Sequence, residues 1–249
     1  MILCVGIGNT NIRCAVGVKA NYRHAVLETE KINSAEDFVL FLEEEFRIDN
    51  WDLLKGGIVS SVVPQKTPLI TEAVRTKIQL QRTYAAKCNF IISEYNGNLG
   101  EDRAVCCAAA LAKYKLPVTV IDLGTATTIN VINTDHTFAG GVIMVGVQTG
   151  LTALEQNTAQ LPLADDLSDI GVICCDTRKS LISGAVLGTV YAIEGYIKQI
   201  QALLTVKPTV IITGGNAPLI IPHCGFDFSY EPMLLIDGLF ELYNEGDFV

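Results

Sequence analysis

The sequence contains one short strand–turn–strand pattern twice, at its start and near its middle. The first copy is ILCVGIGNTNI, from Ile2 to Ile12, and the second is VTVIDLGTATT, from Val118 to Thr128. In each copy an apolar strand passes through glycine into small hydroxyl or amide residues that begin another strand. Glycine turns of this kind present backbone N–H groups to bound anions. The repeat therefore predicts two β-hairpins that, if they face each other, could hold one polyphosphate from both sides.

The composition restricts the class of protein. The chain has 249 residues, of which 49% are hydrophobic and 18% are charged, which is typical of a globular protein. Its formal net charge of −9 argues against a sequence-independent nucleic-acid binder, because phosphate contacts need clusters of Lys and Arg. The apolar run from Ala104 to Ala112 is too short to span a bilayer. The first strand starts without a basic n-region or a cleavage signal, so we expect no signal peptide. We therefore expect a cytoplasmic protein with neither nucleic-acid nor membrane partners.

The eight cysteines do not have the spacing of a metal site or a disulfide framework. No Cys-x-x-Cys occurs, and two pairs, Cys106-Cys107 and Cys174-Cys175, are adjacent in sequence. We interpret the cysteines as reduced residues that fill the core.

Strand and helix patterns alternate along both halves of the chain. A capping box at Ser34–Asp37 opens a helix, and Gly100 precedes an Ala-rich helix that ends near Lys115. Leu116-Pro117 then interrupts the pattern, so we expect two domains, 1–116 and 117–249. The other predicted elements are hairpins at 1–18 and 118–132, strands at 57–63, 90–92, 140–143 and 209–213, helices at 69–77, 148–155 and 179–204, and a polar loop at 164–169. This alternation predicts α/β domains that flank a cleft.

Three glycine-rich elements follow one another in a particular order. They are GIGNTN at 6–11, DLGTATT at 122–128 and TGG at 213–215. This order resembles the acetate and sugar kinase/Hsp70/actin superfamily. The resemblance implies an α/β fold of two similar ribonuclease H-like (actin-like ATPase) domains that flank an ATP cleft.

Two further motifs narrow the resemblance to one family. GEDR at 100–103 and GGVIMVG at 140–146, together with DLGTATT, are similar to type III pantothenate kinases over essentially the whole chain. The resemblance implies that the protein phosphorylates pantothenate to 4'-phosphopantothenate, the first step of coenzyme A biosynthesis. It also implies ATP with Mg²⁺, a monovalent cation (K⁺ or NH₄⁺) and a homodimer.

The resemblance also implies roles for individual residues. Asp102 would accept the proton of the pantothenate hydroxyl, Arg103 would bind pantothenate or the transferring phosphoryl group, and Asp122 would bind the monovalent cation. The implied pantothenate-binding residues are Gly100, Glu101, Asp102, Arg103 and Thr177. The implied ATP-binding residues are Gly6, Ile7, Gly8, Asn9, Thr10, Asn11, Gly124, Thr125, Ala126, Thr127, Gly214 and Gly215.

The position of Asp102 at the start of a helix has a chemical consequence. The helix dipole favours the carboxylate form there, so we expect a low pKa, while the neighbouring charge of Glu101 acts in the opposite direction. Phosphoryl transfer depends mainly on positioning and charge neutralisation, so a weak base that orients the hydroxyl is suitable. Considered alone, Asp102 also fits a helix-terminal residue paired with Arg103, and Asp122 also fits a buried carboxylate that caps a turn.

One departure from the family pattern affects the expected metal site. Family members usually carry Asp where this chain has Gly6, and Asp122 occupies the aligned position of the second copy. Glycine offers no ligand to hydrated Mg²⁺ at this point. Two alternatives therefore remain open: a catalytically impaired homologue that binds nucleotide or pantothenate, and a kinase of another small molecule.

Overall fold

The computed structural model describes residues 1–82, 88–92, 95, 98–164, 167 and 170–243. The chain forms two compact units. One contains Met1–Tyr114 and the chain from Met233 onward, and the other contains Lys115–Pro232. Each unit is built on a five-stranded mixed sheet, which confirms the α/β class.

The first unit places its hairpin at the centre of its sheet. Its elements are β1 (Ile2–Ile7), β2 (Asn11–Val18), β3 (Asn21–Glu28), α1 (Ala35–Phe46), β4 (Gly57–Ser61), α2 (Thr67–Arg75), β5 (Leu80–Arg82) and α3 (Glu101–Lys113). The strand order is β3-β2-β1-β4-β5, with β1 antiparallel to β2 and parallel to β4. Leu3, Val5 and Ile7 of β1 join one hydrophobic core, while Ile2 and Cys4 join another. Burial on both faces explains why β1 is apolar along its whole length.

The predicted capping box at the start of α1 is confirmed. Asp37 N donates to Ser34 Oγ at 3.0 Å, and Ser34 N donates to Asp37 Oδ2 at 2.9 Å. Phe38, Leu42 and Phe46 follow at four-residue spacing and are buried in the first core. The cap therefore fixes the start of a helix whose apolar face covers the sheet.

The second unit repeats the arrangement of the first. Its elements are β6 (Val118–Leu123), β7 (Ala126–Ile132), β8 (Phe138–Val145), α4 (Val147–Asn157), α5 (Thr177–Leu203), β9 (Thr209–Thr213), α6 (Ala217–Ile220) and β10 (Ser229–Tyr230). The strand order is β10-β9-β6-β7-β8, with β6 antiparallel to β7 and parallel to β9. The sequence repeat therefore corresponds to the central hairpin of two sheets with equivalent strand pairing.

The last helix, α7 (Leu234–Leu242), packs within the first unit. Its Ile236 and Leu239 join the core that contains Ile2 and Cys4. Asp237 accepts a 2.6 Å hydrogen bond from the Tyr22 hydroxyl on β3 and lies 2.6 Å from the Lys113 ammonium at the end of α3. Helix α7 therefore packs with the N-terminal elements. The domain boundary near residue 116 stays a prediction.

Some local predictions differ from the structure. Residues 90–92 do not form a strand, because only Ile91 makes an isolated bridge there. The predicted loop at 164–169 lies partly outside the described residues. Four cysteines, Cys4, Cys14, Cys106 and Cys107, are buried, whereas Cys175 is exposed and does not fill the core.

Helix α5 has the length and composition of a membrane-spanning segment, and it is the one helix with this property in the described part of the chain. Its Ile182, Val186, Val190, Ile193 and Ile197 face inward and belong to the core of the second unit. A core helix satisfies the same two criteria, so length and composition alone are weak support for a membrane span.

Candidate active site

The turn of the first hairpin is fixed by backbone contacts. Gly8 N donates to Asn11 O at 3.0 Å. Thr29 also contacts the turn: its hydroxyl donates to Gly8 O at 2.7 Å, and its backbone N–H donates to Thr10 O at 2.9 Å. A Cβ atom on Gly8 would lie 2.9 Å from Asn11 O, so the turn requires the absence of a side chain there. Asn9 and Thr10 are exposed at the tip, where an anion can reach the backbone.

The space beside Gly6 is filled by an apolar side chain. A Cβ atom placed on Gly6 would lie 2.7 Å from Cδ2 and 3.4 Å from Cγ of Leu235 on α7. The missing carboxylate is therefore not replaced by an open water site, because a leucine tip occupies its place. The first hairpin offers a cation no side-chain ligand at this position.

The GEDR motif forms the N-terminus of α3, with Gly100 as the N-cap residue. A Cβ atom on Gly100 would lie 2.8 Å from Asp102 Oδ1, so glycine leaves room for that carboxylate. Asp102 Oδ1 also accepts a 2.7 Å hydrogen bond from Arg103 N. These contacts fix the orientation of the candidate base.

The pKa of Asp102 differs from the prediction. Burial raises the pKa of the Asp102 carboxyl, and the opposing effects of the Arg103 backbone N–H and guanidinium only partly offset it. The expectation of a low pKa from the helix dipole is therefore wrong. A carboxylate with a raised pKa accepts a proton more readily, which suits Asp102 as a candidate general base.

Glu101 has a structural contact in addition to its predicted role. Its Oε2 accepts a 2.9 Å hydrogen bond from Ser61 N at the end of β4. Ser61 is the parallel partner of Ile7 on β1, so this contact links the N-terminus of α3 to the strand that precedes the first turn.

Arg103 is held in a buried position. Only 8% of its surface is exposed, and its Nη1 donates to the Tyr95 hydroxyl at 2.9 Å. A buried guanidinium whose position is fixed in this way can donate hydrogen bonds to a carboxylate or a phosphate.

The second hairpin assembles two other glycine motifs around its turn. Gly146 N donates to Thr125 O at 3.1 Å, and a Cβ atom on Gly146 would lie 2.3 Å from Gly124 O. Asn216, directly after Gly214 and Gly215, donates its backbone N–H to Leu123 O at 2.8 Å and its side-chain amide to Gly124 O at 3.0 Å. The predicted elements at 124–127 and 214–215 are therefore adjacent in space. Asn216 was not among the predicted site residues, and its position after two glycines is the signal that could have identified it.

Asp122 lies on a polar part of the sheet. It pairs with Thr128 on β7 and with Thr213 on β9, and cross-strand partners share a face. Asn130 Nδ2 donates to Thr128 Oγ1 at 3.1 Å on the same face. A carboxylate beside hydroxyl groups is a suitable oxygen donor set for a hard cation.

Thr127 occupies the opposite face. It pairs with Leu123 and Met144, both of which belong to or pack against the core of the second unit. Its side chain is fully buried, and its hydroxyl makes no hydrogen bond with any described residue. Any contact of Thr127 with nucleotide would therefore use its backbone.

Thr177 is the first residue of α5, in the second unit, and is exposed. The preceding residue, Asp176, is the N-cap and accepts a 2.9 Å hydrogen bond from Lys179 N. The cap orients the first turn and leaves the Thr177 side chain open to a ligand.

Comparison with known proteins assigns the family. The sequence model of the family described as type III pantothenate kinase matches residues 2–199. The chain belongs to the type III pantothenate kinase family. A type III pantothenate kinase of Roseiflexus sp. is 31% identical over 98% of both chains, and that of Moorella thermoacetica is 30% identical over 99% of this chain and all of its own.

Membership of the type III pantothenate kinase family confirms the predicted enzyme class, a kinase that transfers a phosphoryl group to an alcohol. Among solved structures, a Campylobacter jejuni protein described as a Baf family transcriptional activator has a TM-score of 0.64, with 18% identity over 97% of this chain and 96% of its own. This likeness shows the fold alone. Together with further structural neighbours, it confirms the actin-like ATPase fold class.

Proposed function

We propose that this protein catalyses the ATP-dependent phosphorylation of pantothenate to 4'-phosphopantothenate, which opens coenzyme A biosynthesis. The observation that carries the proposal is the nearly full-length match to relatives named type III pantothenate kinase. The local geometry of Asp102 and Arg103 is consistent with such a reaction.

In the proposed reaction, the pantothenate hydroxyl oxygen attacks the γ-phosphorus of ATP. The bond from that phosphorus to the β,γ-bridging oxygen breaks, ADP leaves, and the hydroxyl proton passes to Asp102. Arg103 N holds Oδ1 of this carboxylate, and we propose that Oδ2 accepts the hydroxyl proton. Arg103 is the proposed donor to pantothenate or to the moving phosphoryl group. Mg²⁺ bound to ATP would neutralise the developing charge.

The remaining roles follow from the motifs. Gly8–Asn11 and Gly124–Thr127 are proposed to bind phosphates through backbone N–H groups, with Gly6 and Ile7 forming the strand end below the first turn. Gly214 and Gly215 are proposed to lie near adenosine, and Thr177 to contact pantothenate. Asp122 is the proposed ligand of a monovalent cation, K⁺ or NH₄⁺, and its hydroxyl neighbours support this role.

We also propose that the enzyme is a cytoplasmic homodimer. The outer face of α5 supports the dimer. Gly184, Gly188 and Gly195 are exposed, and a Cβ atom on each would have nothing within 4 Å. Tyr191, on the same face, is 54% exposed. Small residues at helical spacing permit close approach of a second helix, and an exposed tyrosine supplies apolar area for the contact.

The test is product formation by the purified protein. The full chain is incubated with pantothenate, ATP, Mg²⁺ and K⁺, and phosphopantothenate is measured by mass spectrometry. We expect turnover by the wild type and a loss of about 10²–10⁴-fold in Asp102→Asn, because the base is removed. Asp227→Asn is the matched control, since Asp227 has a 96% exposed side chain.

Each other result has a defined meaning. ATP binding without product would support the impaired homologue, for which the Leu235 contact with Gly6 is the structural reason. ADP release with a different alcohol, but not with pantothenate, would assign another substrate. Equal turnover in Asp102→Asn and the wild type would remove Asp102 from the mechanism.

A further inference from the structure

The start of helix α3 is anchored to the sheet of the first unit through Glu101. The helix begins after Gly100, which has no side chain with which to cap it. Glu101, the first helical residue, is half-buried, and its Oε2 accepts a 2.9 Å hydrogen bond from Ser61 N at the end of β4. A hydrogen bond to a charged acceptor is stronger than one between neutral groups. The contact therefore fixes where α3 starts relative to the sheet.

Ser61 is itself held in place, so its N–H is a donor of fixed position. It is buried, and its Oγ lies 2.6 Å from Oγ1 of Thr67, the first residue of α2. Ser61 is also the parallel partner of Ile7, and the next residue, Val62, donates its N–H to Ile7 O at 3.0 Å. Ile7 ends the strand that leads into the turn of the first hairpin. Glu101 therefore connects α3 to the same strand end that carries this turn.

We infer that Glu101 is a positioning residue for Asp102, the candidate base. It sets the distance and the orientation of the Asp102 carboxylate relative to the turn of the first hairpin, and it does not itself bind pantothenate. The inference rests on the proposed function and assigns Glu101 a different role from the one that the family resemblance implies.

The positions of the two residues in the helix explain how one orients the other. Glu101 and Asp102 are consecutive in the first helical turn of α3, so their side chains leave the helix axis about 100° apart. Asp102 Oδ1 is held at 2.7 Å by Arg103 N, which fixes the carboxylate relative to its own backbone. The freedom that is left to the base is a rotation or shift of the whole helical turn. Because Glu101 is bonded to the sheet, its contact restrains this movement.

The charge of Glu101 argues against direct contact with the substrates. ATP and pantothenate are both anions, and a like charge brought close to either of them is unfavourable. The hydrogen bond from Ser61 N instead uses the carboxylate as an acceptor within the protein. This role needs an acceptor oxygen at the reach of a glutamate side chain, whereas the negative charge only strengthens the bond.

The test separates reach from charge with three variants of the full chain. Glu101→Gln keeps an acceptor oxygen at the same reach, Glu101→Asp keeps the charge on a side chain one methylene shorter, and Glu101→Ala removes both. The control is Glu44→Ala, whose glutamate is exposed on α1. The rate constant kcat and KM for both substrates are measured well below the melting temperature, with the folded fraction checked by circular dichroism. Hydrogen exchange measured by mass spectrometry reports on the opening of residues 100–103.

We expect kcat to fall by about 10- to 100-fold in Glu101→Ala and Glu101→Asp, because a small misplacement of a reacting group costs this much. Both KM values should stay within about twofold of the wild type, since the substrates lose no contact. Glu101→Gln should recover most of kcat, and Glu44→Ala should match the wild type. Exchange at residues 100–103 should be faster in Glu101→Ala and Glu101→Asp than in the other proteins.

Three results would overturn the inference. A raised KM for pantothenate with unchanged kcat would make Glu101 a substrate ligand, and an unchanged kcat with unchanged KM in Glu101→Ala would leave it a structural role only. A kcat that follows charge, with Glu101→Asp like the wild type and Glu101→Gln like Glu101→Ala, would exclude the hydrogen bond as the cause. If Glu101→Ala does not fold, the comparison of Glu101→Gln with Glu101→Asp decides between the same outcomes.

Failure of the proposed function gives a different result. A wild-type protein that forms no phosphopantothenate would refute the proposed function, and hydrogen exchange would then decide the inference. Faster exchange at residues 100–103 in Glu101→Asp, with exchange in Glu101→Gln like that of the wild type, would support the anchoring of α3 by Glu101. Equal exchange in all variants would refute it.

Discussion

Gly214 is the glycine whose replacement should have the clearest effect. Its φ of +99° lies in a region that side chains disfavour, and a Cβ atom there would be 2.5 Å from both Asp122 Oδ1 and Leu123 N. The Leu123 atoms belong to the backbone of β6, so they cannot move aside as a flexible side chain would. The substitution Gly214→Ala therefore combines backbone strain with a steric clash.

The expected magnitude is the sum of these two effects. A non-glycine residue in a disfavoured φ region costs about 1–3 kcal/mol, and overpacking adds about 1–3 kcal/mol. We expect Gly214→Ala to lower the free energy of unfolding by about 2–6 kcal/mol. For a chain of this size, at about 2–4 °C per kcal/mol, that corresponds to a drop in melting temperature of roughly 4–24 °C.

The assay is thermal unfolding by calorimetry or circular dichroism. The control is Gly150→Ala inside α4, where a Cβ atom would lie 3.7 Å from Val145 Cγ1 and Cγ2, an ordinary contact distance, so alanine should stabilise the helix by about 0.5–1 kcal/mol. If Gly214→Ala melts within a degree or two of the wild type, the close approach of the Gly214 turn to β6 is wrong.

Three further substitutions test individual contacts. A carboxyl with a raised pKa stabilises the fold when protonated, and this contribution is lost as pH rises through that pKa. Asp102→Asn should therefore melt at a higher temperature than the wild type at pH 8, but not at acidic pH. The same variant should lose turnover. Glu101→Ala should lower the free energy of unfolding in urea by about 1–3 kcal/mol, because Ser61 N loses its acceptor. Glu101→Gln keeps a side-chain oxygen and should lower it less. Equal losses of stability in the two variants would contradict the contact. Gly6→Asp should be destabilising, because its side chain would clash with Leu235. Adding Leu235→Ala should restore stability, with a coupling energy of about 0.5–3 kcal/mol in the double-mutant cycle. Strictly additive effects of the two substitutions would show that the positions do not interact.

The parts of the fold that depend on local sequence were predictable. The two hairpins, the capping box of α1 and strand β9 follow from alternation, turn residues and caps that act within a few positions. The order of the glycine motifs indicated the superfamily, and the GEDR and GGVIMVG motifs, together with DLGTATT, indicated the family that the comparison confirms.

The rest depends on residues that are distant in sequence. Leu235 reaches Gly6 through the packing of α7 on the first sheet, and no local pattern indicates that contact. The pKa of Asp102 was predicted in the wrong direction because a helix terminus can be read from sequence, whereas burial depends on what surrounds it. Residues 90–92 are apolar enough for a strand, but only Ile91 forms a bridge, so composition alone was not decisive.

The two hydrogen bonds of Asn216 have a consequence for binding entropy. Because its backbone and its side chain donate to consecutive carbonyls of the second hairpin, Asn216 ties the Gly214–Gly215 turn to the turn at Gly124, which is proposed to bind phosphate. A ligand that touches both turns meets a spacing that is already set, so little freedom of the protein is lost on binding. In this unit, affinity would depend on how well the length of the ligand matches that spacing, and a longer or shorter molecule would lose contacts at one end.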